Sequence, residues 1–254
     1  MSWVEVGSRT WRPRLWQAGW VDQRQYLDNE ALTRSAIVAN CAMNRERQLT
    51  GPNSYTRELG FDPLDYLVRR SQYTEVGWLD LCCGTGRALS QAAEHLHRAG
   101  QAQHVALVGV DLVDAFDPTP APQPTSLRLS CADVTTWAPD RRFDLITCVH
   151  GLHYLGDKLA TLCRAAGWLT DGGLLLADLD LTSIRLPDGR AAGRVLTNAL
   201  RQAGFQYNAR RHRITCTGPL QVSLPYTYLG ADDRAGPNYT NQPAVNAYYQ
   251  PHKS

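Results

Sequence analysis

Lysine is nearly absent from this sequence: of 26 Lys and Arg residues, only Lys158 and Lys253 are lysine. We read that bias as a mark of a GC-rich coding sequence rather than of chemistry. A net charge of +2 is too small to argue for nucleic acid or a membrane surface. The seven cysteines (Cys41, Cys82, Cys83, Cys131, Cys148, Cys163, Cys216) are odd in number and hold no CxxC pair. That speaks against a disulfide framework or a zinc knuckle. The start, "MSWVEVGSRTW", lacks an apolar signal core, and no run is long enough to span a bilayer. A reducing, cytoplasmic setting is expected, with no membrane partner. What remains is 254 residues, 43% hydrophobic and 20% charged, enough for a large α/β domain or a domain plus a cap.

Between about 76 and 180 the chain alternates strand-like apolar runs with helical stretches. "VGWLDL" (76–81), "HVALVGVD" (104–111), "SLRLSCAD" (126–133), "FDLITCVH" (143–150) and "GGLLLADLD" (172–180) are the strand candidates. Continuous apolar strands separated by helices point to a parallel sheet covered on both faces. Its ligand would bind beyond the carboxyl ends of the strands. "RAAGRVLTNALRQAGF" reads as a helix stopped by Gly204. "QYNARRHRITCTG" and "LQVSLPYTYLG" read as two antiparallel strands joined around Gly218-Pro219. In the first 72 residues, "NEALTRSAIVANCAMNRERQL" and "GFDPLDYLVRRSQ" have helical spacing, the second opened by Asp62-Pro63. The expected organisation is a helical cap over residues 1–72, a core over 73–235, and a mobile or draped tail over 236–254.

The turn "WLDLCCGTGRAL" after the first strand carries the chemistry. A dinucleotide site would want GxGxxG, but Arg87 follows Gly86 and the third glycine is missing. No Gly-Lys-Ser/Thr follows, so a Walker-type loop is excluded. The Asp80 carboxylate in this turn would repel a phosphate and suit an ammonium or sulfonium. Asp111 ends the second strand, where a carboxylate can accept both ribose hydroxyls. Asp133 ends the third and could accept from an adenine amino group. Acids at three successive strand ends, with no lysine nearby, describe a cationic nucleoside such as S-adenosylmethionine.

"LDLCCGTG", "VGVDL", "CADV", "FDLITCVHGLHYL" and "LTDGGLLLADLD" resemble the successive motifs of the class I S-adenosylmethionine-dependent methyltransferases. The resemblance covers about residues 73 to 230. It implies a Rossmann-like α/β fold: a seven-stranded, mostly parallel sheet with helices on both faces, here with the N-terminal helical cap. It also implies methionine and ribose contacts around Asp80, Cys82, Gly84 and Gly86, ribose at Asp111 and adenine at Asp133. Leu112, Val134 and Val149 are counted with that cofactor set. The family usually has glycine where this chain has Cys82, a departure that keeps a small residue.

After the fourth strand, "VHGLHYLGD" places His150, His153 and Tyr154 where the family commonly has residues near the transferable methyl. A histidine there can act as general base, although alignment and desolvation alone can carry an in-line displacement. "HGLH" has i,i+3 spacing without a clear third ligand, so no metal is expected. Asn44, Arg45, Arg47, Asn53, Tyr55 and Glu58 of the cap could line the cofactor mouth or a polar acceptor pocket, with the Tyr55 ring closing over the methionine moiety. Asp144 reads as structural, and Cys82 and Cys83 as packing under the cofactor. The late arginines (Arg185, Arg190, Arg194, Arg201, Arg210, Arg211, Arg213) read as solvated surface. With no Asp/Asn-Pro-Pro-aromatic run, an RNA methyltransferase is the lesser reading and nucleic acid is not the expected partner. The expectation is a methyltransferase of specialised metabolism acting on a small molecule or small peptide and releasing S-adenosylhomocysteine. The alternative is a cyclase or pericyclic catalyst holding the cofactor unreacted. Assembly as a homodimer stays open.

Overall fold

The computed structural model describes residues 26–39, 46–72, 74–118 and 126–252. The helices α1 (Asn29–Thr33), α2 (Ala36–Ala39), α3 (Tyr55–Leu59) and α4 (Pro63–Ser71) come first. Then follow β1 (Val76–Leu81), α5 (Arg87–Arg98), β2 (Val105–Asp111), β3 (Leu127–Cys131), β4 (Phe143–Cys148), α6 (Lys158–Gly167) and β5 (Leu169–Asp178). The chain ends through β6 (Ile184–Arg185), α7 (Gly193–Gln202), β7 (Gln206–Asn208), β8 (Arg213–Thr217), β9 (Tyr226–Asp232) and β10 (Asn246–Pro251).

Seven strands form one sheet in the order β3-β2-β1-β4-β5-β8-β7. The first five are mutually parallel, and β8 and β7 close the edge antiparallel. The order reverses between β1 and β4, so their carboxyl ends open a crevice. Every residue of β1 and β4 is buried, as strands covered on both faces require. On one face α5 lays down Ala88, Leu89, Ala92, Ala93 and Leu96, a stripe at helical spacing. On the other, α6 and α7 bury Leu159, Leu162, Leu196 and Leu200 against Ile146 and Leu175.

Two boundaries differ from expectation. α3 and α4 are not a lid. Leu59 and Leu67 share one buried cluster with Trp78 and Leu89, so these helices belong to the layer covering the sheet. Asp62 caps α4 by accepting from Leu64 N at 2.8 Å, with Pro63 at its first turn. Among the described residues, α1 and α2 contribute side chains that line the crevice.

Nor is 236–254 a draped tail over its described part. β10 pairs antiparallel with β9 and parallel with β6 in a second, three-stranded sheet. Ala247, Tyr248 and Tyr249 are buried in a row, with a register shift between Tyr248 and Tyr249, a short buried strand that the neighbouring Pro, Asn and Gln residues concealed. The expected hairpin around Gly218-Pro219 is also not formed. β7 and β8 pair with each other across the turn at 209–212, where His212 has φ 47°, and β9 leaves for the second sheet. No helix among the described residues is long and apolar enough to cross a membrane.

Candidate active site

A cavity opens at the carboxyl ends of β1, β2, β3 and β4. Cys82, Gly84, Asp111, Leu112, Asp133 and Val134 line it from the first three strands. Val149, His150 and Tyr154 line it from the segment after β4, and Asn29, Leu32, Thr33 and Val38 from α1 and α2. Asp111 shapes the turn as well as the wall: its carboxylate accepts from Gly84 N at 2.9 Å and Val113 N at 3.1 Å. Asp133 does the same for its own turn, accepting from Thr135 N at 2.7 Å. Carboxylates retain further lone pairs after such bonds. A donor set of two strand-end acids, glycine backbone and apolar Leu112 and Val134 fits a nucleoside with free hydroxyls and an amino group.

Cys82 adopts φ 59°, a left-handed conformation that glycine enters at less cost. The difference from the family pattern therefore falls on the backbone as well as on size. The thiol side packs against Gly151, where an added Cβ would stand 2.4 Å from the Cys82 Cβ.

Tyr55, Asp80, Gly86 and His153 do not line the cavity. Asp80 is 1% exposed and its two oxygens are taken, one by the Tyr55 hydroxyl and one by Thr147 Oγ1 at 2.6 Å. Burial pushes its carboxyl up to about 7, against the two hydrogen bonds that favour ionisation. The Tyr55 ring sits edge-on to Trp78 rather than at the mouth. Gly86 supplies the left-handed start of α5 at φ 72°. Among the other cap candidates, Asn53 is exposed, and Asn44 and Arg45 lie outside the described residues.

His150 is the hub of the polar end. It sits at φ 60°, an uncommon conformation that turns its amide toward Asp178 Oδ2 at 3.3 Å. Its Nε2 lies 3.5 Å from Glu58 Oε2 and 3.9 Å from Asp178 Oδ2, and its Nδ1 lies 3.4 Å from His153 Nε2. Each carboxylate turns its other oxygen to an arginine: Glu58 Oε1 to Arg47 at 2.6 Å, and Asp178 Oδ1 to Arg213 Nε at 3.6 Å. The hydrogen bond to His150, helped by Arg47 and opposed by burial, holds the Glu58 carboxyl down at about 2. Burial, reinforced by His150 and Lys158, pushes His153 down to about 3, so its ring stays neutral and serves as a hydrogen-bond partner.

Glu58, His150 and Asp178 bring three ligand atoms within 4.8 Å of one another and could hold a metal ion. Of the "HGLH" pair only His150 belongs to this cluster, and its two partners come from distant positions. Arg47 and Arg213 already balance the two carboxylates, so the cluster needs no metal for charge neutrality.

Arg213 also departs from the surface reading. It is 8% exposed, and its guanidinium donates to the Leu59 carbonyl at 3.0 Å and to the Glu58 carbonyl. It thereby clamps the end of α3 to β8. Arg190, Arg194, Arg201, Arg210 and Arg211 are exposed and Arg185 is half-buried. Asp144 accepts from Gly77 N and Thr170 Oγ1, each at 2.9 Å, and braces the far end of the sheet.

The strand order and the acid-lined crevice define a Rossmann-like nucleoside-binding domain of the class I methyltransferase type. A model of the methyltransferase domain matches residues 53–213, and the chain belongs to that S-adenosylmethionine-dependent methyltransferase family. A trans-aconitate 2-methyltransferase from Methylobacterium radiotolerans is 29% identical over 113 residues, 44% of this chain and 38% of that protein. The chain thus spans well under half the length of this curated relative. Among solved structures, the magnesium protoporphyrin IX methyltransferase of Synechocystis PCC 6803, with bound SAM, is similar at 13% identity. That likeness covers 76% of this chain and 99% of that one, with a TM-score of 0.47. The N-methyltransferase NodS of Bradyrhizobium japonicum WM9, in complex with S-adenosylhomocysteine, is 17% identical over 71% of this chain and 99% of that one, with a TM-score of 0.39.

Proposed function

We propose that the protein methylates a small-molecule or small-peptide acceptor of specialised metabolism, with His150 taking the acceptor's proton. One observation carries this reading: His150, held between Glu58 and Asp178, lines the same cavity as Asp111 and Gly84. A relative named for trans-aconitate also favours an acceptor of metabolite size. Bound S-adenosylmethionine would supply a methyl on a sulfonium, open to in-line attack by the acceptor's lone pair, with the C–S electron pair leaving on sulfur.

The protein's part is to hold the ribose at Asp111, to keep water out under α1 and α2, and to receive a proton on the His150 imidazole. The ionised Glu58 and the Asp178 beside it stabilise the imidazolium that results. Glu58, His153 and Asp178 are positioning residues in this scheme.

Incubation with methyl-labelled S-adenosylmethionine and an acceptor panel should yield S-adenosylhomocysteine in step with labelled product. His150→Ala should lower kcat by about 10²–10⁴ while cofactor affinity holds. Absence of any thermal stabilisation by S-adenosylmethionine would sink the reading, since saturation at 100 Kd is worth about 2.7 kcal/mol.

A further inference from the structure

The first turn carries a pair of thiols that methyl transfer leaves unused. β1 and β4 run parallel with Asp80 opposite Thr147, so Cys148 ends β4 beside the point where Cys82 leaves β1. Neighbouring strands lie about 4.8 Å apart, a spacing that a disulfide can bridge. The side chains converge as well. A Cβ added at Gly151 would stand 2.8 Å from Cys82 Sγ and 2.9 Å from Cys148 Sγ. Both sulfurs crowd one spot, left open because residue 151 is glycine, and the two thiols are hydrogen-bonded to each other.

The pair differs in access. Cys148 is 1% exposed and belongs to the core, whereas Cys82 and Gly151 line the cavity. A small oxidant entering an empty cavity therefore meets Cys82 first and finds Cys148 behind it. The cofactor, expected against Cys82, would cover that wall. Cys83 takes no part: its sulfur turns toward Gly109 of β2, 2.8 Å from where a Cβ would stand there.

We propose that Cys82 and Cys148 form a reversible disulfide in the wall of the cofactor cavity when a peroxide reaches the empty site. The Cys82 thiolate attacks one peroxide oxygen, and the O–O bond breaks. Cys82 becomes a sulfenic acid, and the departing hydroxide takes up the thiol's proton as water. Cys148 then attacks that sulfur, forming the S–S bond, while its proton leaves with the sulfenic oxygen as a second water. The hydrogen bond to Cys148, with burial, pushes the Cys82 thiol up, so the first step is slow near neutrality and needs excess peroxide. Linkage ties the turn to β4. That turn includes Gly84, whose amide donates to Asp111 at 2.9 Å, so cofactor affinity falls with it.

Peptide mass analysis of the full chain, after hydrogen peroxide and blocking of free thiols, tests the inference. In ligand-free protein the Cys82 and Cys148 peptides should appear joined, and dithiothreitol should separate them. S-adenosylhomocysteine at about 100 Kd leaves about one site in a hundred empty, so it should slow the linkage by about that factor. Calorimetry should find its binding weakened at least about tenfold in the linked protein, the scale of one hydrogen bond, and restored by dithiothreitol. In Cys148→Ser, dimedone should instead trap Cys82 as the sulfenic acid. The wild-type peptides decide the matter even if that variant folds poorly. Cys82 carried to the sulfinic acid with no joined peptide, or linkage equally fast with and without ligand, overturns the inference. Failure of S-adenosylhomocysteine to bind untreated protein would count against the cofactor site, while the joined peptide would still decide the thiol pair.

Discussion

Asp80, expected at the cofactor from its place in the first turn, has both carboxylate oxygens turned to side chains of the protein. An acid in the first turn fits a cationic ligand, but its oxygens face Tyr55 and Thr147 inside the protein. Its folded pKa of about 7 stands above the ordinary 3.8. A carboxyl raised in this way stabilises the fold while protonated, and that contribution is lost as pH rises from about 4 through about 7. Asp80→Asn removes the dependence. Urea unfolding should show the variant gaining on the wild type by about 1–3 kcal/mol between pH 4.5 and 8. A difference that stays flat with pH would mean that Asp80 does not titrate in that window.

At the level of elements, α3 matters out of proportion to its length. It delivers Glu58 to His150, and Arg213 holds its terminal carbonyls from β8. Arg213→Lys keeps the charge beside Asp178 but loses the planar fork. We expect a folded variant weakened by about 1–3 kcal/mol. Amide exchange should be faster at 54–60, and kcat lower at unchanged cofactor affinity. If exchange in α3 does not change, the clamp is not what positions Glu58.

For the whole molecule, the second sheet decides how the chain's end is used. Lys158 is wholly buried, and its Nζ donates to the carbonyls of Leu155, at 2.6 Å, and Val245, at 3.0 Å. Tyr249, 1% exposed, donates to Asp157 at 3.1 Å. Ending the chain after Asp232 would leave Lys158 with one partner fewer and uncover the apolar side of β9. Buried apolar side chains of this size contribute about 1.5–3 kcal/mol each. The shortened protein should lose cooperative unfolding or melt far lower, as calorimetry would report. A melting profile matching the full chain would make β10 an accessory strand.

The strand-end acids, the glycine turn and the five parallel strands were legible because each is a local pattern. Apolar runs make buried strands, and the turns that end them expose their first polar residues to the crevice. The motif around His150 was legible for the same reason. Its partners were not: Glu58 and Asp178 lie 92 and 28 positions away in sequence, and no periodicity links them. Arg213 read as surface because an arginine among other arginines carries no sign of burial. The strand at 246–251 was hidden by the Pro, Asn and Gln residues around its three consecutive buried positions. Local sequence determined which elements form and where the cavity-lining turns fall. Tertiary structure alone decided which carboxylates meet His150 and which acid faces inward, because those are contacts between segments that only packing brings together.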